Sequence, residues 1–178
     1  MGGAQECLRA RVRVLDKKFK AHKGRYVLQC GLAACVVFIV LLVLDTVSQT
    51  TIIASLGASA FIAFAMPGAK TAGVRFLIGG YLIGTVVGCG CYYLSTLPVF
   101  EQLPVLQEGS RVVFGALSVG LAILSMVVTN TEHPPAAGLA LGFVLNEWNF
   151  WTIVVVLVGI VLLAILKTLL RPVLVDLV

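Results

Sequence analysis

The sequence predicts an all-α polytopic membrane protein with about six transmembrane helices, and three observations predict it. The chain is very apolar, with 60% hydrophobic residues and a mean hydropathy of +1.05. Only 12% of residues are charged, against roughly a quarter in a soluble domain. The charges also leave long gaps: 26–44, 46–69, 76–100, 112–131, 133–146 and 148–166 contain no Asp, Glu, Lys or Arg. A bilayer core takes about 20 apolar residues as a helix. The gaps therefore give spans near 26–45, 50–66, 74–95, 111–129, 134–146 and 149–168. These numbers argue against a disordered chain and against a soluble enzyme.

The chain divides into a basic N-terminal segment, 1–25, and a transmembrane domain, 26–178. The segment carries a net charge of +6 and the domain −1. The basic pI of 9.1 thus belongs to the tail and gives no reason to expect nucleic acid. Leu8, Val12, Leu15 and Phe19 recur at helical spacing among Arg9, Arg11, Arg13, Lys17, Lys18 and Lys20. That pattern suits an amphipathic helix on an anionic inner leaflet, and equally a simple topology signal. No secretory signal pattern is visible.

Six crossings with a cytoplasmic tail would put the tail, Lys70, Arg75, Lys167 and Arg171 inside. The positive-inside bias favours this arrangement, with both termini cytoplasmic, in a bacterial inner membrane. Trp148, Phe150 and Trp151 then fall at the outer boundary as interfacial anchors.

The second and fifth spans are short. The fifth opens with Pro134-Pro135 and closes before Asn146-Glu147. At 1.5 Å per residue it covers only about 20 Å, so it is either a tilted span or a half-helix. The five cysteines, at 7, 30, 35, 89 and 91, lack metal-site spacing, and no metal or cofactor is expected. Those within the apolar segments read as small buried hydrophobes.

In lipid, helices are held by close backbone approach. Gly80, Gly84 and Gly88 lie on one face of the third span. Ala54/Ala58, Ser55/Ser59, Ala136/Ala140 and Gly138/Gly142 form similar stripes on the two short spans. The glycines read as packing positions, and the short spans as central. The stripes also make a homodimer plausible.

Each half of the chain runs long helix, polar break, short helix, long helix. An offset of about 81 places Gly57 over Gly138. Three spans per unit would make the second copy inverted, a transporter pattern. Each short helix is preceded by neutral polar residues: Ser48, Gln49, Thr50 and Thr51, and Thr129, Asn130 and Thr131. Two helix N-termini rimmed by such donors, with Ser55 and His133, form a candidate site for a small anion. Ordinary helix capping explains the same residue types.

Thr131-Glu132-His133-Pro134-Pro135-Ala136-Ala137-Gly138 is the most distinctive stretch. Its prolines withdraw two backbone donors, which is tolerated at a helix start. Glu132 and His133 are the acid–imidazole pair of the apolar body, so both are candidates for proton coupling. A pore-lining or structural role is the alternative for each.

This stretch resembles the HPP family of integral membrane proteins, over about residues 30–171. Leu56-Gly57-Ala58-Ser59-Ala60 is similar to the family's Leu-Gly-Ala-Thr-Ala. Gly79-Gly80-Tyr81 stands where the family has Gly-Gly-His. The resemblance implies a membrane protein and, through some members, transport of nitrite or a related small anion.

The functional expectation is therefore a transporter or channel for a small inorganic anion, first of all nitrite. The alternatives are a channel for a neutral or protonated solute, and a non-transporting scaffold or sensor subunit. No nucleophile–base–orienter set or phosphate loop suggests an enzyme.

Overall fold

A computed structural model describes residues 23–44, 50–98 and 104–177, with side chains for 24–38, 53–98 and 109–177. The basic segment up to residue 22 lies outside the described residues. So do Ser48 and Gln49, while Thr50 and Thr51 are placed as backbone only.

Among the described residues six helices follow one another: α1 Lys23–Leu44, α2 Thr50–Ala65, α3 Val74–Ser95, α4 Pro104–Thr129, α5 Pro134–Leu145 and α6 Phe150–Leu170. A single 3-10 turn, Lys70–Ala72, lies between α2 and α3. Most boundaries fall within a few residues of the charge gaps. The exception is α4, which begins seven residues before the expected 111. Apolar content marks where a helix meets lipid, not where it starts. Pro104 presets φ at the first helical position, so the helix begins in a polar stretch.

Among the described residues three helices are long and apolar enough to cross a bilayer: Val74–Ser95, Gly109–Thr129 and Phe150–Leu170. Helix α5, with 12 residues, reaches about 18 Å, and α2, with 16, about 24 Å.

The helices alternate in direction. At one end, the Tyr26 hydroxyl donates to Leu177 O at 2.6 Å, and Leu177 N donates to Ala65 O at 2.9 Å. Arg75 donates to Thr129 O at 3.1 Å and Lys167 to Ala72 O at 3.0 Å. This basic end therefore gathers the starts of α1, α3 and α5 and the ends of α2, α4 and α6. At the opposite end Ser110 donates to Ser95 O. There Trp148 also lies 5.2 Å from Tyr92 and 5.4 Å from Phe143, centroid to centroid, and donates its indole N–H to Phe143 O. Phe150 and Trp151 are exposed beside this aromatic end.

Helix α5 is the centre of the bundle, packed against α3, α4 and α2. Helix α6 packs against α3, α1 and α2, while α1 meets α2 and α6, and α3 meets α4. The glycine stripe of α3 is the seam with α5. A Cβ at Gly80 would come 2.6 Å from His133 Cβ, and one at Gly88 2.9 Å from Ala140 Cα. Gly57 and Gly138 face open space instead.

The cysteine expectation needs correction. Cys91 is buried, but Cys30 and Cys35 are exposed on α1. A thiol is apolar enough to face lipid, so its residue type does not decide which way it points.

Candidate functional site

The site is built where α4 ends and α5 begins. Asn130 adopts φ 53°, the left-handed conformation that ends many helices. Asn130 N then donates to Val127 O at 3.2 Å and Thr131 N to Met126 O at 2.9 Å, the Schellman pairing. Two residues later the chain is extended at His133, as a residue before proline must be. The turn thereby drives the His133 side chain inward, to 0% exposure.

Inside, His133 Nδ1 lies 3.1 Å from Thr71 O. A carbonyl only accepts, so Nδ1 carries the proton and Nε2 faces Ser59 Oγ at 2.8 Å. Ser59 Oγ is also 2.8 Å from the Tyr81 hydroxyl and 2.9 Å from Ser55 O. The Tyr81 hydroxyl donates to Ser55 Oγ at 3.2 Å. Four side chains from α2, α3 and the α5 N-cap thus form one buried polar network. One turn beyond Tyr81, Thr85 is 6% exposed, and its Oγ1 has no hydrogen-bond partner.

The Ser59 hydroxyl has one hydrogen and three possible acceptors: His133 Nε2, Tyr81 Oη and Ser55 O. With neutral His133 it donates to Nε2. With protonated His133, Nε2 donates and Ser59 turns to Ser55 O. Both protonation states are satisfied by rotation of this one hydroxyl.

The expected residues therefore divide. Ser55 and His133 meet in the network through Ser59 and Tyr81. Thr129, Asn130 and Glu132 lie on the turn at the basic end. There Lys70 Nζ donates to Asn130 Oδ1 at 2.7 Å and to Glu132 Oε2 at 3.2 Å. Hydrogen bonds from its own backbone and from Lys70 hold the Glu132 carboxyl below the usual carboxylate range. The Thr129 hydroxyl pairs with that of Thr131 at 2.8 Å, and Thr131 is buried against Gly79.

The N-termini of α2 and α5 do not meet. The N-terminus of α5 meets Ser59, which lies eight residues, about 12 Å, along α2 from Thr51. Nor does α5 offer free N–H groups at its start. Pro134 and Pro135 have none, and Ala136 N donates to His133 O at 2.9 Å. The donors at this end are side chains, supplemented by the helix dipole.

Ser59, Tyr81 and the Thr71 carbonyl were not expected as site groups. The i, i+4 spacing of Ser55 and Ser59 was the available signal, and it reads equally as a small-residue stripe. An apolar cavity of 320 Å³ between α4 and α5 borders His133, Glu132 and Met126. Among the described residues, no three His, Cys, Asp or Glu side chains converge as metal ligands.

A family model described as the HPP transmembrane region matches residues 20–174. A Dictyostelium discoideum protein, named only as a transmembrane protein, is 34% identical over 100 residues, 56% of this chain. The chain spans about a third (32%) of that relative's length. No solved structure matches the chain.

Proposed function

From the premise that the chain belongs to the HPP transmembrane family as a polytopic membrane protein, we propose that it is a transporter or channel for a small inorganic anion, with nitrite the first candidate. The observation that carries this reading is the buried network of His133, Ser59, Tyr81 and Ser55. Its groups are uncharged, its hydroxyls at Ser55, Ser59 and Tyr81 can donate by rotation, it contains no carboxylate, and the positive end of the α5 dipole points into it. A neutral donor site can hold an anion without a permanent buried cation, which would be costly in lipid.

The path follows α2 and α3. It begins at the basic end, where Lys70 and Arg75 flank the turn 129–132 and attract anions. It continues past His133, Ser59 and Tyr81 to Ser55 and Thr85, about halfway along α3. Thr50 and Thr51, at the start of α2, are kept as candidate groups toward the aromatic end, and Ser48 and Gln49, which precede them in sequence, as candidates outside the described residues. Asn130 and Thr131 contribute as the rim of the entrance. In this reading the basic end faces the cytoplasm.

The reading includes an inverted three-plus-three repeat. The contact scheme is unchanged when α1, α2 and α3 are exchanged for α4, α5 and α6, and the exchanged helices run in opposite directions. Proton coupling through His133 is a second reading, favoured by the Ser59 hydroxyl that satisfies both protonation states. Glu132, partly exposed and paired with Lys70, is the weaker coupling candidate.

The test is a flux assay on purified protein in liposomes, with nitrite, nitrate, formate and chloride. Nitrite flux well above empty vesicles, lowered several-fold in Ser59→Ala, is the expected result. Equal fluxes with and without protein would overturn it. Flux without net current would point to a neutral passenger such as the protonated acid.

A further inference from the structure

The basic end carries a second cavity, which shares only Lys70 with the transport path. It measures 400 Å³ and lies between the α2–α3 connection and the last turn of α6. Lys70, Lys167 and Arg171 line it, with Gly68, Val74 and Thr168. Lys167 is only 8% exposed. Its ammonium donates to Ala72 O at 3.0 Å, which leaves two N–H groups for a ligand. Arg171 follows four residues later on the same face, and like charges at that spacing repel. Among the described residues neither cation has a carboxylate within ion-pair distance, since Lys70–Glu132 is the ion pair formed. Asp176 stands at the cavity edge, where its carboxylate accepts from Gly68 N at 2.9 Å.

Below this cavity an apolar groove of 210 Å³ runs down the outer surface between α3 and α6. Val74 and Thr168 line both. Ile78, Ile165, Leu169 and Val161 continue the groove for about 12 Å toward the bundle centre. A cationic pocket at the water boundary that opens into an apolar trough has the two-part shape of a phospholipid.

The geometry points to a specific site for an anionic phospholipid. Its phosphate sits between Lys167, Arg171 and Lys70, and one acyl chain lies in the α3–α6 groove. The bound lipid neutralises the unpaired cations and ties the end of α6 to the start of α3. Basic pockets between helices recognise such headgroups.

The test is native mass spectrometry of the full chain released from vesicles of phosphatidylcholine with phosphatidylglycerol. Wild type should retain phosphatidylglycerol in preference to phosphatidylcholine. Lys167→Gln and Arg171→Gln should each lose about fivefold in phosphatidylglycerol retention, the effect of one basic residue at an anionic surface. Ile165→Trp, which fills the groove without changing charge, should lose it too. Arg171 and Ile165 are exposed positions, so those two variants test the site even if Lys167→Gln does not fold. Equal retention of both lipids by wild type would overturn the proposal. So would displacement of phosphatidylglycerol by millimolar inorganic phosphate with no effect of Ile165→Trp, the signature of a soluble phosphate site.

Discussion

Replacing Gly84 by alanine sets two effects against each other. Alanine is the better helix former by about 1 kcal/mol. Against that, the new methyl group would land on the Ala136 carbonyl oxygen, with Ala136 C at 3.2 Å and Ala136 Cβ at 3.4 Å. The obstacle is backbone, so α3 and α5 must move apart. Overpacking of this kind costs about 1–3 kcal/mol. The net effect runs from neutral to about 2 kcal/mol destabilising. Gly90 is the control, since a Cβ there meets nothing within 4 Å. Gly90→Ala keeps only the propensity gain, so the two variants should differ by about 1–3 kcal/mol. Denaturant unfolding in mild micelles, followed by Trp148 fluorescence, is the assay. Trp148 packs edge-to-face with Phe143 of α5 and tilted against Tyr92 of α3, so it reports their separation. A Gly84→Ala protein as stable as Gly90→Ala would refute the α3–α5 seam as the close contact of the bundle.

Ser59→Ala removes the central hydroxyl of the network and leaves His133 Nε2 and the Tyr81 hydroxyl short of a partner. A stability loss of about 1–3 kcal/mol and a several-fold fall in anion flux are expected, measured by unfolding and by liposome flux. Gln29 is 3% exposed, and its carboxamide donates to Phe64 O and to Val175 O. Gln29→Leu should therefore destabilise by about 1–3 kcal/mol, because those carbonyls lose their donor; an unchanged melting temperature would contradict this. The Glu132 carboxyl is held below its ordinary value in the folded chain by hydrogen bonds from its own backbone and from Lys70, so its contribution is present above that ordinary value and is lost as pH falls through the lowered one. Unfolding curves of wild type and Glu132→Gln should accordingly differ near neutrality and converge in acid. Asn130→Gly should match wild type in backbone fit at φ 53°, whereas Asn130→Ala should cost about 1 kcal/mol by thermal unfolding.

The helices were legible because lipid imposes a one-dimensional rule: a charge-free stretch of sufficient length marks a span. The start of α5 was equally legible, since Pro134-Pro135 leaves few other conformations. His133 stood out as a titratable group in an apolar run. Its partners did not. Ser59 is 74 residues away and Tyr81 is 52, and nothing local distinguishes a serine that binds imidazole from one that admits a neighbouring helix. Lys167 read as a charge that sets orientation, yet it turns inward to a carbonyl 95 residues earlier. The expected pairing of two helix N-termini missed a geometric point. Antiparallel helices place like ends at opposite faces, so the N-terminus of α5 meets the later half of α2.

The hydrogen bonds around Leu177 and Val175 also set an order of events. Tyr26 and Gln29 are bonded to residues 151 and 146 positions later. Helices α3, α4 and α5 are neighbours in sequence as well as in space, so they can associate as soon as they are made. Helix α1 precedes them, but its hydrogen bonds to the segment after α6 wait for residues 175–177. Until then the Gln29 carboxamide can hold Phe64 O but lacks its Val175 partner, so α1 is fully seated only after α6. Truncation within 175–177 should therefore loosen the start of α1 while leaving the α3–α5 core closed.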